Sequence, residues 1–198
     1  MRDQSLQQEV AALLPWRKGH FRFESGHHGD TWLNLELLCL HPEPVERLAI
    51  SLADRLAAFE ADVICGPLVE GAFVALMVAR RLGLPFAYTE RVDPPSDRLF
   101  SVSYTVPGAL RDLVRGKRIV VVNDVIGAGS AVLGTLKDLR ACGAEPVAIG
   151  ALAVRGPSAV RLALDNGVAL ETLASFPGDL WKPGECPLCA VGVPLLSS

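Results

Sequence analysis

The sequence has no apolar run that approaches the roughly 18 residues of a membrane-spanning helix, so we expect no membrane partner. It also has no run of basic residues: 19 lysines and arginines stand against 22 acidic side chains, for a formal charge of −3. A nucleic-acid partner would therefore lack its usual electrostatic footprint. The five cysteines are an odd number, which argues against a disulfide framework. Because the N-terminal residues are polar and carry no apolar export signal, we expect a cytoplasmic protein.

The order of apolar and amphipathic segments predicts an α/β fold in one domain. From Asp62 onward, short apolar runs alternate with helical patterns, which is typical of βαβ units around a parallel sheet. The strands are predicted at 63–65, 86–89, 119–123, 147–154 and 169–174. The helices are predicted at 4–14, 43–59, 72–82, 131–142 and 157–166. Residues 20–38 are predicted to form two short strands around a polar turn that contains glycine.

One long segment fits neither pattern. Residues 92–117 contain three prolines, two glycines and mixed charge between two predicted strands. Loops of this length in compact domains are usually functional lids or disordered. We predict a mobile flap with a short strand pair at 99–106, and a surface insertion without function is the alternative.

The segment 118–131 carries the strongest functional signal. An apolar run passes through Asn123 and Asp124 into a short turn, Gly127 to Ser130, that precedes a helix. The exposed backbone N–H groups of such a turn, and the positive end of the helix, favour an anion. Ser130 is the expected N-cap. Asp124 is expected to point into the same crevice, where a carboxylate suits sugar hydroxyls or a metal ion; a turn without a ligand is the alternative.

A second turn of the same kind follows the strand at 63–65. Gly66 and Pro67 lead into a turn that ends at Gly71 and opens a helix. Two anion-binding turns at neighbouring strand ends would suit a substrate with two phosphate groups. Here too, a tight turn without a ligand is the alternative.

Two pairs of potential metal ligands are weaker signals. His27 and His28 are adjacent in an extended segment, where neighbouring side chains point in opposite directions, so we predict surface histidines. Cys186 and Cys189 form a single Cys-x-x-Cys pair, whereas a zinc site needs four ligands. Cys39 or His41 could contribute, but nothing in the sequence requires it. We predict no metal site formed by the protein itself.

Three segments together resemble one enzyme family. Residues 119–130 resemble the phosphoribosyl diphosphate motif of type I phosphoribosyltransferases, in which four apolar, two acidic and two apolar residues precede a turn of small residues. Residues 19–34 resemble the hood of orotate phosphoribosyltransferases, and this likeness is carried by Phe21, Ser25, Gly26, Trp32 and Asn34. The tail around Cys186 and Cys189 resembles that of some bacterial and archaeal orotate phosphoribosyltransferases. The resemblance covers about residues 15–194.

The resemblance implies a type I phosphoribosyltransferase fold and a reaction. The single domain would have a central parallel sheet in residues 61–174, a hood and tail in 1–40 and 175–198, and a flexible loop at 92–117. The reaction would transfer ribose 5-phosphate from phosphoribosyl diphosphate to the pyrimidine base orotate, for pyrimidine nucleotide biosynthesis. Mg²⁺ would be the cofactor, and the protein would be a homodimer.

The resemblance also implies the residues of the site. The catalytic residues would be Asp124 and Arg91. Ribose 5-phosphate would be bound by Asn123, Asp124, Val125, Ile126, Gly127, Ala128, Gly129 and Ser130. Diphosphate would be bound by Pro67, Leu68, Val69, Glu70 and Gly71. The base would be bound by Trp32, Leu33 and Arg155, whose planar guanidinium can bind a carboxylate through two hydrogen bonds.

The chain departs from the family pattern around the expected ligand. Asn123 replaces one acid of the acidic pair, Glu70 stands where the family usually has lysine or a small residue, and Gly127 stands where threonine is frequent. Residues 92–115 contain no lysine. Two alternatives therefore stay open. One is a sensor of phosphoribosyl diphosphate or nucleotide that has lost catalysis; the other is a phosphoribosyltransferase for a different base.

Overall fold

A computed structural model describes residues 2–23, 26–92, 103–178 and 180–196. Its strands are β1 (Trp16–Arg22), β2 (His28–Leu33), β3 (Val63–Pro67), β4 (Phe86–Val92), β5 (Ser103–Thr105), β6 (Arg118–Ile126), β7 (Glu145–Arg155) and β8 (Ala169–Phe176). Its α-helices are α1 (Arg2–Leu13), α2 (Pro42–Leu56), α3 (Glu70–Leu82), α4 (Arg111–Val114), α5 (Ser130–Ala141), α6 (Ser158–Asn166) and α7 (Pro187–Ala190). Short 3₁₀ helices lie at Leu35–Leu37, Ala57–Phe59, Gly108–Leu110 and Pro183–Glu185.

A six-stranded sheet with the order β5-β4-β3-β6-β7-β8 forms the centre of the fold. Strands β4, β3, β6, β7 and β8 are parallel, and β5 pairs antiparallel with β4 at one edge. Strand β6 is buried along its length after Arg118, because helices cover both faces of the sheet and its Val and Ile side chains fit such a setting. The predicted α/β fold with a central parallel sheet is confirmed.

Two apolar layers hold the helices on the sheet. On one face, Leu52 of α2 and Val74 of α3 pack with Val120 of β6. On the other face, Leu136 of α5 and Leu162 of α6 pack against the strand side chains that alternate with those of the first layer. Within the described ranges, no helix has both the length and the apolar character that crossing a membrane requires.

The N-terminal hairpin and the C-terminal segment pack together. Strands β1 and β2 are antiparallel, and they correspond to the two short strands predicted in residues 20–38. Residue Trp181 exchanges two backbone hydrogen bonds with His28, at 2.8 and 2.9 Å, and the Leu196 N–H donates to the His20 carbonyl at 2.7 Å. The prediction of surface histidines is wrong for His28, which is 5% exposed because the returning chain covers it. Ser25 of the predicted hood lies outside the described residues.

Residues 103–117 of the predicted flap pack against the core, and β5 lies within the short strand pair predicted at 99–106. Val106 and Val114 are buried in the core, and the Val106 N–H donates to Asp138 Oδ2 at 2.7 Å. The Arg111 guanidinium also pairs with Asp138, at 3.2 Å. These contacts fix β5 and α4 against α5, so the segment belongs to the folded domain. Residues 93–102, including Arg98, lie outside the described structure.

Strand β6 and helix α5 meet differently from the prediction. The strand continues to Ile126, which pairs with Val154, three residues beyond the predicted end. Gly129 is the N-cap of α5, with φ of 85°, and Ser130 is the first helical residue. The prediction of Ser130 as N-cap is therefore wrong by one residue. A left-handed φ at this corner favours glycine, which explains the shift.

Candidate active site

A cavity of about 250 Å³ lies at the carboxyl end of β6. Ligands of open parallel sheets bind at this edge, where the chain order of the strands reverses, and here the reversal falls between β3 and β6. The lining residues come from the hairpin, the β6–α5 corner, the end of β7 and the tail. They are Phe23, Trp32, Leu33, Leu35, Asn123, Val125, Ile126, Gly127, Ala128, Gly129, Ser130, Ala131, Val132, Arg155, Gly178 and Leu180.

The turn from Gly127 to Ser130 presents the N-terminus of α5 to the cavity. The Leu133 N–H donates to the Gly129 carbonyl at 2.9 Å, so the helical hydrogen-bond ladder starts there. The N–H groups of the first helical residues precede that ladder and are available to a ligand. Together with the partial positive charge of the helix end, they would favour an anion at this turn.

The hairpin gives the cavity an aromatic wall. The rings of Trp32 and Phe23 are stacked, with centroids 5.8 Å apart and planes 9° apart. Phe21 packs against Trp32 at the same centroid distance, with planes 39° apart. These contacts hold the indole in one orientation, and a flat ring is a suitable surface for a planar heterocycle.

Arg155 is the charged side chain among the described lining residues. It is 8% exposed, and its Nη1 donates to the Thr31 carbonyl at 3.1 Å. Its guanidinium also lies 5.6 Å from the centroid of the Trp16 ring. Nε is buried and has no hydrogen-bond partner in the described structure. Burial lowers the pKa of Arg155, as expected for a cation removed from water, and an unpaired buried donor is costly unless a ligand accepts from it.

Asp124 and Asn123 occupy different environments at the end of β6. Asp124 is buried and does not line the cavity, and its Oδ2 has no hydrogen-bond partner in the described residues. The pKa of Asp124 is raised to about 7, mainly by burial and also by the negative charge of Glu70, while hydrogen bonds from the backbone oppose the shift. Asn123 lines the cavity and donates from Nδ2 to the Val125 carbonyl at 3.0 Å.

The predicted diphosphate turn connects β3 and α3 beside this cavity. The Leu68 N–H donates to the Thr89 carbonyl at 2.9 Å, and the peptide bond between Leu68 and Val69 is cis. Gly71 lies so close to the side chain of Asn123 that a Cβ at this position would collide with Asn123 Oδ1. Glu70 lies in the first turn of α3, where a carboxylate interacts favourably with the helix dipole. The turn thus contacts Asn123 but does not itself line the cavity.

The structure brings together most of the predicted site. Trp32, Leu33 and Arg155 line one cavity with the residues of the β6–α5 corner, although they come from distant parts of the sequence. Arg91 does not join them: it is exposed on β4, where it pairs with Tyr104 of β5.

Sequence reasoning missed six lining residues: Phe23, Leu35, Ala131, Val132, Gly178 and Leu180. Leu35, Ala131 and Val132 lie within two residues of predicted ones in the sequence. Phe23 follows the hood strand and could have been found from its two-residue spacing to Phe21. Gly178 and Leu180 follow β8 and reach the cavity only because the tail returns to the hairpin. Neither residue has a sequence signal that could have revealed this.

The fold and the cavity have the arrangement that the sequence resemblance implies: a parallel sheet, a glycine-containing turn after its central strand, a second turn beside it and an aromatic wall from the hairpin. Residues 41–169 match the phosphoribosyl transferase domain family, and the chain belongs to that family of pentosyl transferases.

Curated relatives named orotate phosphoribosyltransferase are similar to nearly the whole chain. The protein of Nitratiruptor sp. is 32% identical over 96% of this chain and 93% of its own length. The protein of Helicobacter pylori is 32% identical over 94% of this chain and 92% of its own length. The protein of Caldanaerobacter subterraneus is 30% identical, over 90% and 87%.

Solved structures share the fold at lower identity. Orotate phosphoribosyltransferase of Mycobacterium tuberculosis has a TM-score of 0.61 at 18% identity, covering 88% of this chain and 95% of that chain. Adenine phosphoribosyl transferase of Trypanosoma brucei has a TM-score of 0.66 at 19% identity, covering 86% and 79%. The fold therefore accommodates enzymes named for different bases, and the base must be argued from the site.

Proposed function

We propose that the protein transfers ribose 5-phosphate from phosphoribosyl diphosphate to orotate, giving orotidine 5′-monophosphate and diphosphate. The observation that carries this proposal is a single cavity that contains both a helix N-terminus and a buried arginine with an unpaired Nε. One end suits the 5-phosphate and the other suits a carboxylate. The names of the relatives that are 30 to 32% identical support the same assignment.

The base end of the cavity matches the chemistry of orotate. Orotate is a planar pyrimidine with a carboxylate on its ring, so it can lie against Trp32 while the carboxylate accepts hydrogen bonds from Arg155. A guanidinium held by Thr31 is already oriented, and little side-chain entropy is lost when the base binds. A base without a carboxylate would leave the Arg155 donor unpaired.

The sugar and phosphates are assigned to the corner after β6 and the turn after β3. In this proposal, residues 123–130 bind ribose 5-phosphate, and residues 67–71 bind diphosphate. The N–H groups at the start of α5 donate to the phosphate, and Asp124 accepts from the ribose hydroxyls once substrate binding exposes its Oδ2. The contact between Gly71 and Asn123 couples the two subsites.

Mg²⁺ is the cofactor that this proposal requires, and the residues present fit it. Asp124 offers a buried carboxylate oxygen, Oδ2, that has no hydrogen-bond partner among the described residues. Mg²⁺ is commonly held by one or two carboxylates together with substrate phosphates. When bound, the ion neutralises negative charge on the leaving diphosphate.

The remaining work of the protein is positioning and exclusion of water. The hood fixes the plane of the base, and the α5 N-terminus fixes the phosphate, so the nucleophilic nitrogen and the anomeric carbon are held in line. Arg91, at the start of the 93–102 segment, is proposed to supply positive charge to the departing diphosphate. A single domain, a homodimer and a cytoplasmic location complete the proposal.

The experiment mixes protein, Mg²⁺ and phosphoribosyl diphosphate with orotate, uracil, adenine or hypoxanthine and follows the release of diphosphate. The proposal predicts release with orotate and little with the others. Release with another base in preference to orotate would assign a different substrate. If phosphoribosyl diphosphate binds but no base causes release, both enzyme assignments fail, and a binding protein is indicated.

A further inference from the structure

Four potential metal ligands from three separate parts of the chain meet at the junction of the hairpin and the tail. His20 lies on β1, His28 lies on β2, and Cys186 and Cys189 lie at the start of and within α7. Their nearest ligand atoms all lie within 4.8 Å of one another. His20, His28 and Cys186 are buried at 1, 5 and 2% exposure, and Cys189 closes the outer side.

The separations fit a tetrahedral metal site. His20 Nε2 lies 3.0 Å from His28 Nδ1, 3.4 Å from Cys186 Sγ and 3.7 Å from Cys189 Sγ, and Cys189 Sγ lies 3.2 Å from His28 Nδ1. A tetrahedral zinc ion with ordinary bond lengths places two nitrogens about 3.3 Å apart and a nitrogen and a sulfur about 3.6 Å apart. The observed separations agree with these values within about 0.4 Å.

The hydrogen bonding of His20 prepares it as a ligand. Its Nδ1 lies 2.7 Å from the Val193 carbonyl, which can only accept, so the Nδ1–H donates to it. The neutral ring then presents the lone pair of Nε2 to the other three groups. In metal-bound histidines, the ring nitrogen that does not bind the metal typically donates such a hydrogen bond, which fixes the tautomer.

We propose that His20, His28, Cys186 and Cys189 bind one zinc ion that ties the C-terminal tail to the hood hairpin. Two imidazoles and two thiolates in tetrahedral array favour zinc among the common metals. All four positions are filled by protein, which is the arrangement of a structural site. A hydrogen bond between the two imidazoles would explain their 3.0 Å separation alone, but not the convergence of both thiols on the same point.

The site would stabilise the walls of the cavity described above. Phe23, which stacks on Trp32, lies between His20 and His28 in sequence. Leu180, which also lines the cavity, precedes the residue that pairs with His28. The zinc therefore crosslinks the two segments that carry these side chains. This inference does not depend on the identity of the base.

The test is the metal content of the full-length protein purified under a phosphine reductant, measured by plasma mass spectrometry. We expect about one zinc per chain. The Cys186→Ser/Cys189→Ser variant and the His28→Ala variant should lose it. Cys39→Ser and His27→Ala are the matched controls, because each removes a thiol or an imidazole outside the cluster, and they should retain the zinc.

A second measurement uses the unaltered chain, so it remains informative if the variants fail to fold. Zinc added to metal-free protein should raise Tm by about 5 to 10 °C at a concentration about 100-fold above its Kd. Cobalt added instead should give the visible absorption of a tetrahedral site and a thiolate charge-transfer band. A chain that is purified without zinc and shows no change in Tm or absorption would overturn the proposal, as would stoichiometric iron or zinc that is retained when both cysteines are replaced.

These outcomes are distinct from those of the activity assay. A protein that binds zinc but does not use orotate would keep this proposal and lose the proposed function. A protein that uses orotate but binds no metal at the cluster would do the reverse.

Discussion

Arg155 at the end of β7 donates a hydrogen bond to the backbone carbonyl of Thr31 in β2, at 3.1 Å. This bond joins the carboxyl edge of the central sheet to the hood. It also holds Arg155 in the wall of the cavity that Trp32 lines, with an Nε that has no hydrogen-bond partner among the described residues. The proposed preference for a base with a carboxylate rests on this relationship.

Replacing Arg155 should weaken the use of orotate. Arg155→Gln removes the charge, and Arg155→Lys keeps the charge but loses the planar fork. Because charge-assisted hydrogen bonds contribute about 1.5 to 3 kcal/mol, we expect kcat/KM for orotate to fall about 10- to 100-fold in both variants, mainly through KM. Arg161→Gln, on the exposed side of α6, is the control. Orotate kinetics in Arg155→Gln within twofold of the unaltered protein would exclude the assigned contact.

Asp124 should make the folded protein less stable as pH rises. Its pKa in the folded protein, about 7, lies above the ordinary value of 3.8, so the folded state binds the proton more tightly than the unfolded chain. The stabilisation is complete below pH 4 and is lost as pH rises through 7. The free energy of unfolding should therefore decrease by about 2 to 3 kcal/mol from pH 5 to pH 8 because of this group.

The variant that tests this linkage is Asp124→Asn, measured by urea unfolding at both pH values. It should lack that part of the decrease, whereas Asp112→Asn, an exposed carboxylate on α4, should keep it. An identical pH dependence in Asp124→Asn and the unaltered protein would show that Asp124 does not titrate in this range.

Glu70→Gln should improve binding of phosphoribosyl diphosphate with Mg²⁺ near pH 7. The Glu70 carboxylate raises the pKa of Asp124, so its removal lowers that pKa and leaves more of Asp124 ionised for the ligand. It also removes a negative charge from the proposed diphosphate turn. Calorimetric titrations from pH 6 to pH 8 should show tighter binding and a pH midpoint displaced downward. Glu46→Gln on α2 is the control, and weaker binding in Glu70→Gln would indicate that Glu70 holds the metal ion itself.

Gly129→Ala should damage the phosphate-binding corner. Gly129 has φ of 85°, and an added Cβ would lie 2.6 Å from Leu162 Cδ1. We expect a loss of about 1 to 3 kcal/mol in the free energy of unfolding, together with weaker binding of phosphoribosyl diphosphate. Gly127→Ala is the matched comparison for stability, because a Cβ there meets nothing within 4 Å, and it should change stability by less than about 0.5 kcal/mol. Equal stability losses in the two variants would contradict this account.

The order of strands and helices could be predicted from the sequence, because each element is marked by a local pattern of apolar residues. Each of the five predicted core strands and each of the five predicted helices overlaps an observed element. The ends were less accurate, since backbone pairing carried β6 to Ile126, beyond the apolar run. The packing of residues 106–114 against α5 could not be predicted, because it depends on Asp138, a distant carboxylate that pairs with the Val106 N–H and with Arg111.

The candidate site could be predicted where its residues are contiguous. The corner at 127–130 has glycines and a following helix that can be read from the chain, whereas the meeting of Trp32 with Arg155 depended on the family resemblance. The cluster of His20, His28, Cys186 and Cys189 could not be predicted. Its two pairs are more than 150 residues apart and share no local spacing.

The most direct test of the proposed function is calorimetric binding of the product. Orotidine 5′-monophosphate places a phosphate at the α5 turn and a base carboxylate at Arg155, and uridine 5′-monophosphate differs only in lacking that carboxylate. We expect the unaltered protein to bind orotidine 5′-monophosphate about 10- to 100-fold more tightly, and Arg155→Gln to bind the two nucleotides equally. Equal affinity for both nucleotides in the unaltered protein would contradict the assignment of orotate as the substrate.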